Sequence, residues 1–72
     1  MAIMTNLEVS QDRVQLLMAE KQMNPYDLCS AADISYATYR RIMKVGNCKI
    51  ATLGKLASAL NVKVTDILKG GD

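Results

Sequence analysis

Histidine, tryptophan and phenylalanine are absent from this 72-residue sequence, and three tyrosines are its only aromatic residues. Without histidine the commonest general base and metal ligand is missing. The seven acidic residues are dispersed and no Gly-rich phosphate loop is present, so catalysis is not expected. Two cysteines, Cys29 and Cys48, lie nineteen positions apart with no CxxC pair. That spacing supplies neither the four ligands of a structural zinc site nor the dense disulfide framework of a small secreted domain. Both thiols are expected to be reduced, and no cofactor, metal or small-molecule ligand is expected. No apolar run approaches the ~20 residues a bilayer requires. Residues 1–7 also lack the charged and long apolar regions of a signal peptide, so the reading is a cytoplasmic domain with no membrane partner. One proline and four glycines leave no low-complexity linker.

What is present is a hydrophobic half, with 22% charged residues, which is too apolar for a disordered chain. A domain of this size buries only about 60% of its unfolded surface, leaving little stability for a deep cavity. The net charge of +2 is small but unevenly placed. Residues 34–65 hold Arg40, Arg41, Lys44, Lys49, Lys55 and Lys63 and no acid, a local +6 set against −4 for the rest. A one-sided basic stretch of this kind points to a polyanionic partner.

Helix formers dominate, and no alternating strand pattern with a hairpin turn occurs. Start signals recur at short intervals. Ser10 is a candidate N-cap with Asp12 in the following turn, and Val9 and Val14 stand at hydrophobic-staple positions. A first helix over 10–22 follows. Asn24 is the next cap, with Pro25 at the first helical position and Asp27 as a capping-box partner, for a helix over 25–32. Ser35 caps a third helix over 36–44, which Gly46 can end by taking a positive φ. A fourth segment, 50–60, places Leu53, Leu56, Ala57 and Leu60 on one face, and a fifth short helical segment covers 64–68. Gly54 inside the fourth segment costs about 1 kcal/mol against Ala, and a close helix approach is the feature to look for there. The expectation is a compact all-α domain of five helices over 10–69, with residues 1–9 and 70–72 as tails.

Between the second and third helices only about three residues remain. Such a turn forces a steep crossing, the helix-turn-helix arrangement. Leu28, Cys29 and Ala32 suit the inner face of the second helix, Ile34 the turn, and Tyr39 and Ile42 the inner face of the third. Tyr36, Ala37, Thr38, Arg40, Arg41 and Lys44 are left for the outside. Small or hydrogen-bonding residues early on a helix, with basic ones later, suit a major groove.

The run Leu28-Cys29-Ser30-Ala31-Ala32-Asp33-Ile34-Ser35-Tyr36-Ala37-Thr38-Tyr39-Arg40-Arg41-Ile42 resembles the helix-turn-helix of Cro/C1-type domains, the lambda and 434 repressor-like or Xre family. Thr52-Leu53, the run from Lys55 to Val62, and Asp66-Ile67-Leu68 resemble the later helices of that family, so the likeness covers about residues 10–69. It departs at four points: Asp33 stands where a turn Gly is frequent, Pro25 where a Gln often begins the second helix, Met43 where a Glu is common, and Gly46 comes one residue later than the family's Gly.

The resemblance implies a regulator of transcription that binds double-stranded DNA as a homodimer. By that implication Tyr36, Ala37, Thr38 and Arg41 read bases. Arg41 is the foremost of them because an Arg can bond G O6 and N7 together. Asn24, Tyr26, Ser35, Arg40, Lys44, Asn47 and Lys49 contact the DNA backbone. Val62, Val64, Ile67 and Leu68 form the dimer surface, helped by Ile3, Met4 and Leu7. Tyr36 has a plainer alternative, packing on the start of the second helix. Tyr39 is expected in the core, where its hydroxyl needs a partner. The methionines read as gap-fillers. The alternative function is an antitoxin-like or adaptor protein-interaction module on the same fold.

Overall fold

The computed structural model describes residues 6–69. In chain order these form β1 (Asn6–Glu8), α1 (Gln11–Glu20), α2 (Pro25–Ala32), α3 (Tyr36–Val45), β2 (Asn47–Lys49), α4 (Ile50–Ala59) and a single 3-10 turn (Val64–Asp66). The chain is mainly helical, as expected, with one correction to the count. The fifth helical segment is one 3-10 turn, held by the Asp66 carboxylate accepting the Lys63 N–H at 3.1 Å.

The helix starts follow the side chains that invite them. Ser10 accepts the Arg13 N–H, Asn24 and Asp27 form the reciprocal capping box, and Ser35 accepts the Thr38 N–H. Pro25 sits at the start of α2, where a missing N–H costs nothing. The helix ends differ more. α1 stops at Glu20 rather than near residue 22, because Gln22 takes a left-handed conformation (φ 56°). The Met23 N–H then reaches back to the Met18 carbonyl at 2.9 Å. Asp33 (φ 56°) ends α2 and Asn61 (φ 57°) follows α4 in the same way, with Ile34 N–H on the Cys29 carbonyl and Val62 N–H on the Ala57 carbonyl. These are Schellman closures, and Met23, Ile34 and Val62 each pack the chain back against the core. Gly46 (φ 89°) ends α3.

Two strands were not expected. β1 pairs antiparallel with β2, Leu7 facing Cys48, and Val9 continues the ladder by donating to the Gly46 carbonyl at 2.8 Å. On the other side Val9 bridges to Leu68. Residues 6–9 are thus built into the domain, and Val9 is fully buried. The core gathers Val9, Val14, Leu28, Ile42, Leu53, Leu56, Leu60 and Ile67 as its most completely buried side chains. Leu28, Cys29, Ala32, Tyr39 and Ile42 face inward as the sequence suggests, and Ile34 is half-buried against them.

Ile67 corrects the expected dimer surface. It is fully buried in its own domain, leaving nothing to offer a partner. Leu68 and Val62 are half-buried, and Val64 is 36% exposed. Ile3 and Met4, and the glycines of the tail at 70–71, lie outside the described residues. Gly54 is also corrected: a Cβ there would meet open space, so no close helix approach requires it.

Candidate nucleic-acid interface

The crossing of α2 and α3 rests on the turn Asp33-Ile34-Ser35. Asp33 reverses the chain, Ile34 plugs the inside, and Ser35 starts α3 in the extended conformation of an N-cap. The Cys29 thiol spans this turn and donates to the Ser35 carbonyl at 3.8 Å. Burial pushes the Cys29 thiol above its ordinary value of 9.0, which keeps the proton that this contact uses. Tyr39 anchors α3 from within. Its hydroxyl donates to the Met18 sulfur at 3.8 Å, a weak acceptor that answers the need for a partner. Burial also raises the Tyr39 phenol above 10.0, with smaller contributions from Cys29 and Tyr36.

With Tyr39 and Ile42 inside, Ala37, Arg40, Arg41 and Lys44 are all exposed on the outer side of α3. No acidic residue lies on this helix. Ala37 keeps the N-terminal end of that face low, and the long basic side chains follow it along the helix. Arg41 also works on Cys48: burial raises that thiol, and the nearby guanidinium partly offsets the rise.

The remaining candidates divide by what already occupies them. Tyr36 is stacked on Tyr26 (centroids 4.9 Å apart, planes 18° apart) and against Tyr39 (6.0 Å, 24°). The plainer alternative, packing on the start of α2, is therefore realised in the structure, and the ring is engaged by neighbours. Tyr26 closes the stack from outside and remains 66% exposed. Thr38 is half-buried and its hydroxyl is 2.9 Å from that of Ser35, so both hydroxyls serve the cap. The Asn24 side-chain oxygen likewise accepts the Asp27 N–H. Asn47 and Lys49 are exposed on β2, so the segment after α3 is a strand tied to β1 and not the loop expected there.

The α1 helix meets α3 at two points and was missed as part of this surface. Gln11 donates to the Met43 carbonyl at 3.1 Å, close to Gly46, and Met18, about two turns further along α1, meets Tyr39. Between the two helices lies an open cleft of about 720 Å³, lined by Gln15 together with Tyr36, Tyr39, Arg40, Arg41, Met43 and Lys44. A polar residue on the α3-facing flank of α1 is the sequence signal for it.

Two short helices crossed through a three-residue turn, with a basic outer face on the second, define a helix-turn-helix DNA-binding module. Residues 13–69 match the model of the Cro/C1-type HTH DNA-binding domain, and the chain belongs to that family. No curated protein and no solved structure matches the chain. Among the described residues, no helix is long and apolar enough to cross a membrane.

Proposed function

We propose that this domain is a sequence-specific regulator of transcription that inserts α3 into the major groove of double-stranded DNA. The observation that carries this reading is the outer face of α3, where Ala37, Arg40, Arg41 and Lys44 stand exposed on a helix anchored by Tyr39 and Ile42. A helix of 10–12 Å diameter fits a major groove about 12 Å wide. Arg41 is the principal base reader, and Ala37 allows close approach and apolar contact with a thymine methyl. Arg40, Lys44, Asn47, Lys49 and Tyr26 hold the backbone. Tyr36 contributes through the tyrosine stack, and Ser35, Thr38 and Asn24 contribute by fixing the helix starts that face the duplex.

One recognition helix reads few base pairs, so the regulator acts as a homodimer on half-sites about 34 Å apart. Val62, Val64 and Leu68 form the contact between copies. The protein works in the cytoplasm, associated with the nucleoid. Selection of bound sequences from a random duplex library, followed by titration of a selected site against salt, tests the proposal. The expected outcome is an enriched two-fold symmetric sequence and an affinity that falls steeply with salt. Absence of salt-dependent binding even at low ionic strength overturns it. The adaptor reading draws on one observation, Leu16 at 58% exposure on α1 beside a shallow depression formed with Asp12, Gln15 and Ala19. Failure of the DNA titration would turn attention there.

A further inference from the structure

A helix seated in a major groove meets phosphates on both of its flanks. On one flank of α3 stands β2, with Asn47 and Lys49 exposed. On the other lies the cleft against α1, whose walls carry Arg40, Arg41, Lys44 and Gln15 above a floor of Tyr39 and Met43. No acid lines it. The cleft is open, unlike the enclosed cavities that hold small molecules. An extended anion lying across it fits that shape better than a compact ligand.

We infer that Gln15 of α1 is a DNA-backbone contact: a phosphodiester segment lies in the α1–α3 cleft, held by Arg40 and Lys44 on one wall and by the Gln15 amide on the other. The inference rests on the proposed seating of α3 and extends the interface to a third helix. A glutamine amide offers two N–H donors to phosphate oxygens without reading sequence. Gln15 also borders a second depression with Asp12, Leu16 and Ala19, so it marks the edge of the anion-binding surface.

Gln15 is exposed, so its substitution leaves the core intact. The test is titration of a labelled random-sequence duplex with the full chain at low salt. Parent, Gln15→Ala, Gln15→Glu and Gln15→Lys are compared with Lys49→Ala and with Leu16→Glu. This last variant makes the same charge change as Gln15→Glu outside the cleft. Gln15→Ala is expected to bind about threefold to tenfold more weakly, the size of one net hydrogen bond. Gln15→Glu should lose about tenfold or more, clearly beyond Leu16→Glu, with the gap closing as salt rises. Gln15→Lys should bind more tightly than the parent. If the Gln15 variants match the parent, or Gln15→Glu merely matches Leu16→Glu, while Lys49→Ala weakens binding, the inference is overturned and the seating of α3 stands. If the parent itself shows no salt-dependent binding, the functional reading fails, and this inference with it.

Discussion

The front of the molecule, α1 to α3, and the back, β2 with α4, are stabilised by different means. Each front helix begins at a side chain that accepts a backbone N–H: Ser10, Asn24 and Ser35. α4 begins at Lys49, which makes no such bond, and carries Gly54 in its middle. In exchange α4 brings Leu53, Leu56 and Ala57, with Leu60 just after it, into the centre of the core. The front is specified by short-range hydrogen bonding and presents the candidate interface. The back supplies the apolar mass against which that surface is held. A helix proposed to read DNA needs a fixed start and orientation, whereas its support needs only to exclude water.

Substitutions can break or sharpen this contrast, and the largest effect lies at the back. Leu56 is almost fully buried, so Leu56→Ala should cost about 2–5 kcal/mol. That is a large part of the 5–15 kcal/mol typical of a native domain. Thermal denaturation should show the loss, with DNA binding failing only as the fold does. Gly46→Ala comes next, at the junction of the two regions. Its φ of 89° disfavours a side chain, and the new Cβ would lie 3.0 Å from the Gln11 amide nitrogen. A loss of about 1–2 kcal/mol is expected in urea unfolding. In the front, Asn24→Ala removes the cap bond to Asp27 and should cost about 1 kcal/mol by the same measurement. The smallest effect has the opposite sign. Gly54→Ala meets open space in α4 and should stabilise by about 0.5–1 kcal/mol, read as a higher midpoint.

The contrast also explains what could be read without coordinates. Caps are local, so Ser10, Asn24, Pro25 and Ser35 marked the three front helices at the residues where they begin. The inward face of the crossing was legible for the same reason. β1 and β2 were not, because three-residue strands some forty positions apart carry neither an alternating pattern nor a hairpin turn. Left-handed closures at Gln22 and Asn61 escaped notice because neither is Gly. The apolar residue after each, Met23 and Val62, was the available sign. At the candidate site, charge and exposure on α3 followed from helical spacing. The engagement of Tyr36 by Tyr26 and Tyr39, and the cleft with Gln15, depend on how helices meet in space.

The central claim is that the outer face of α3 reads base sequence while its surroundings hold the backbone. Its most direct test compares Arg41→Ala with Lys49→Ala on a duplex selected by the parent and on random duplex, across a salt series. Arg41→Ala should lose about 1–3 kcal/mol of discrimination between the two duplexes. Lys49→Ala should weaken both about equally and lower the salt slope by about 0.9. If Arg41→Ala leaves discrimination at the parent level, α3 does not read through that residue and the account is contradicted.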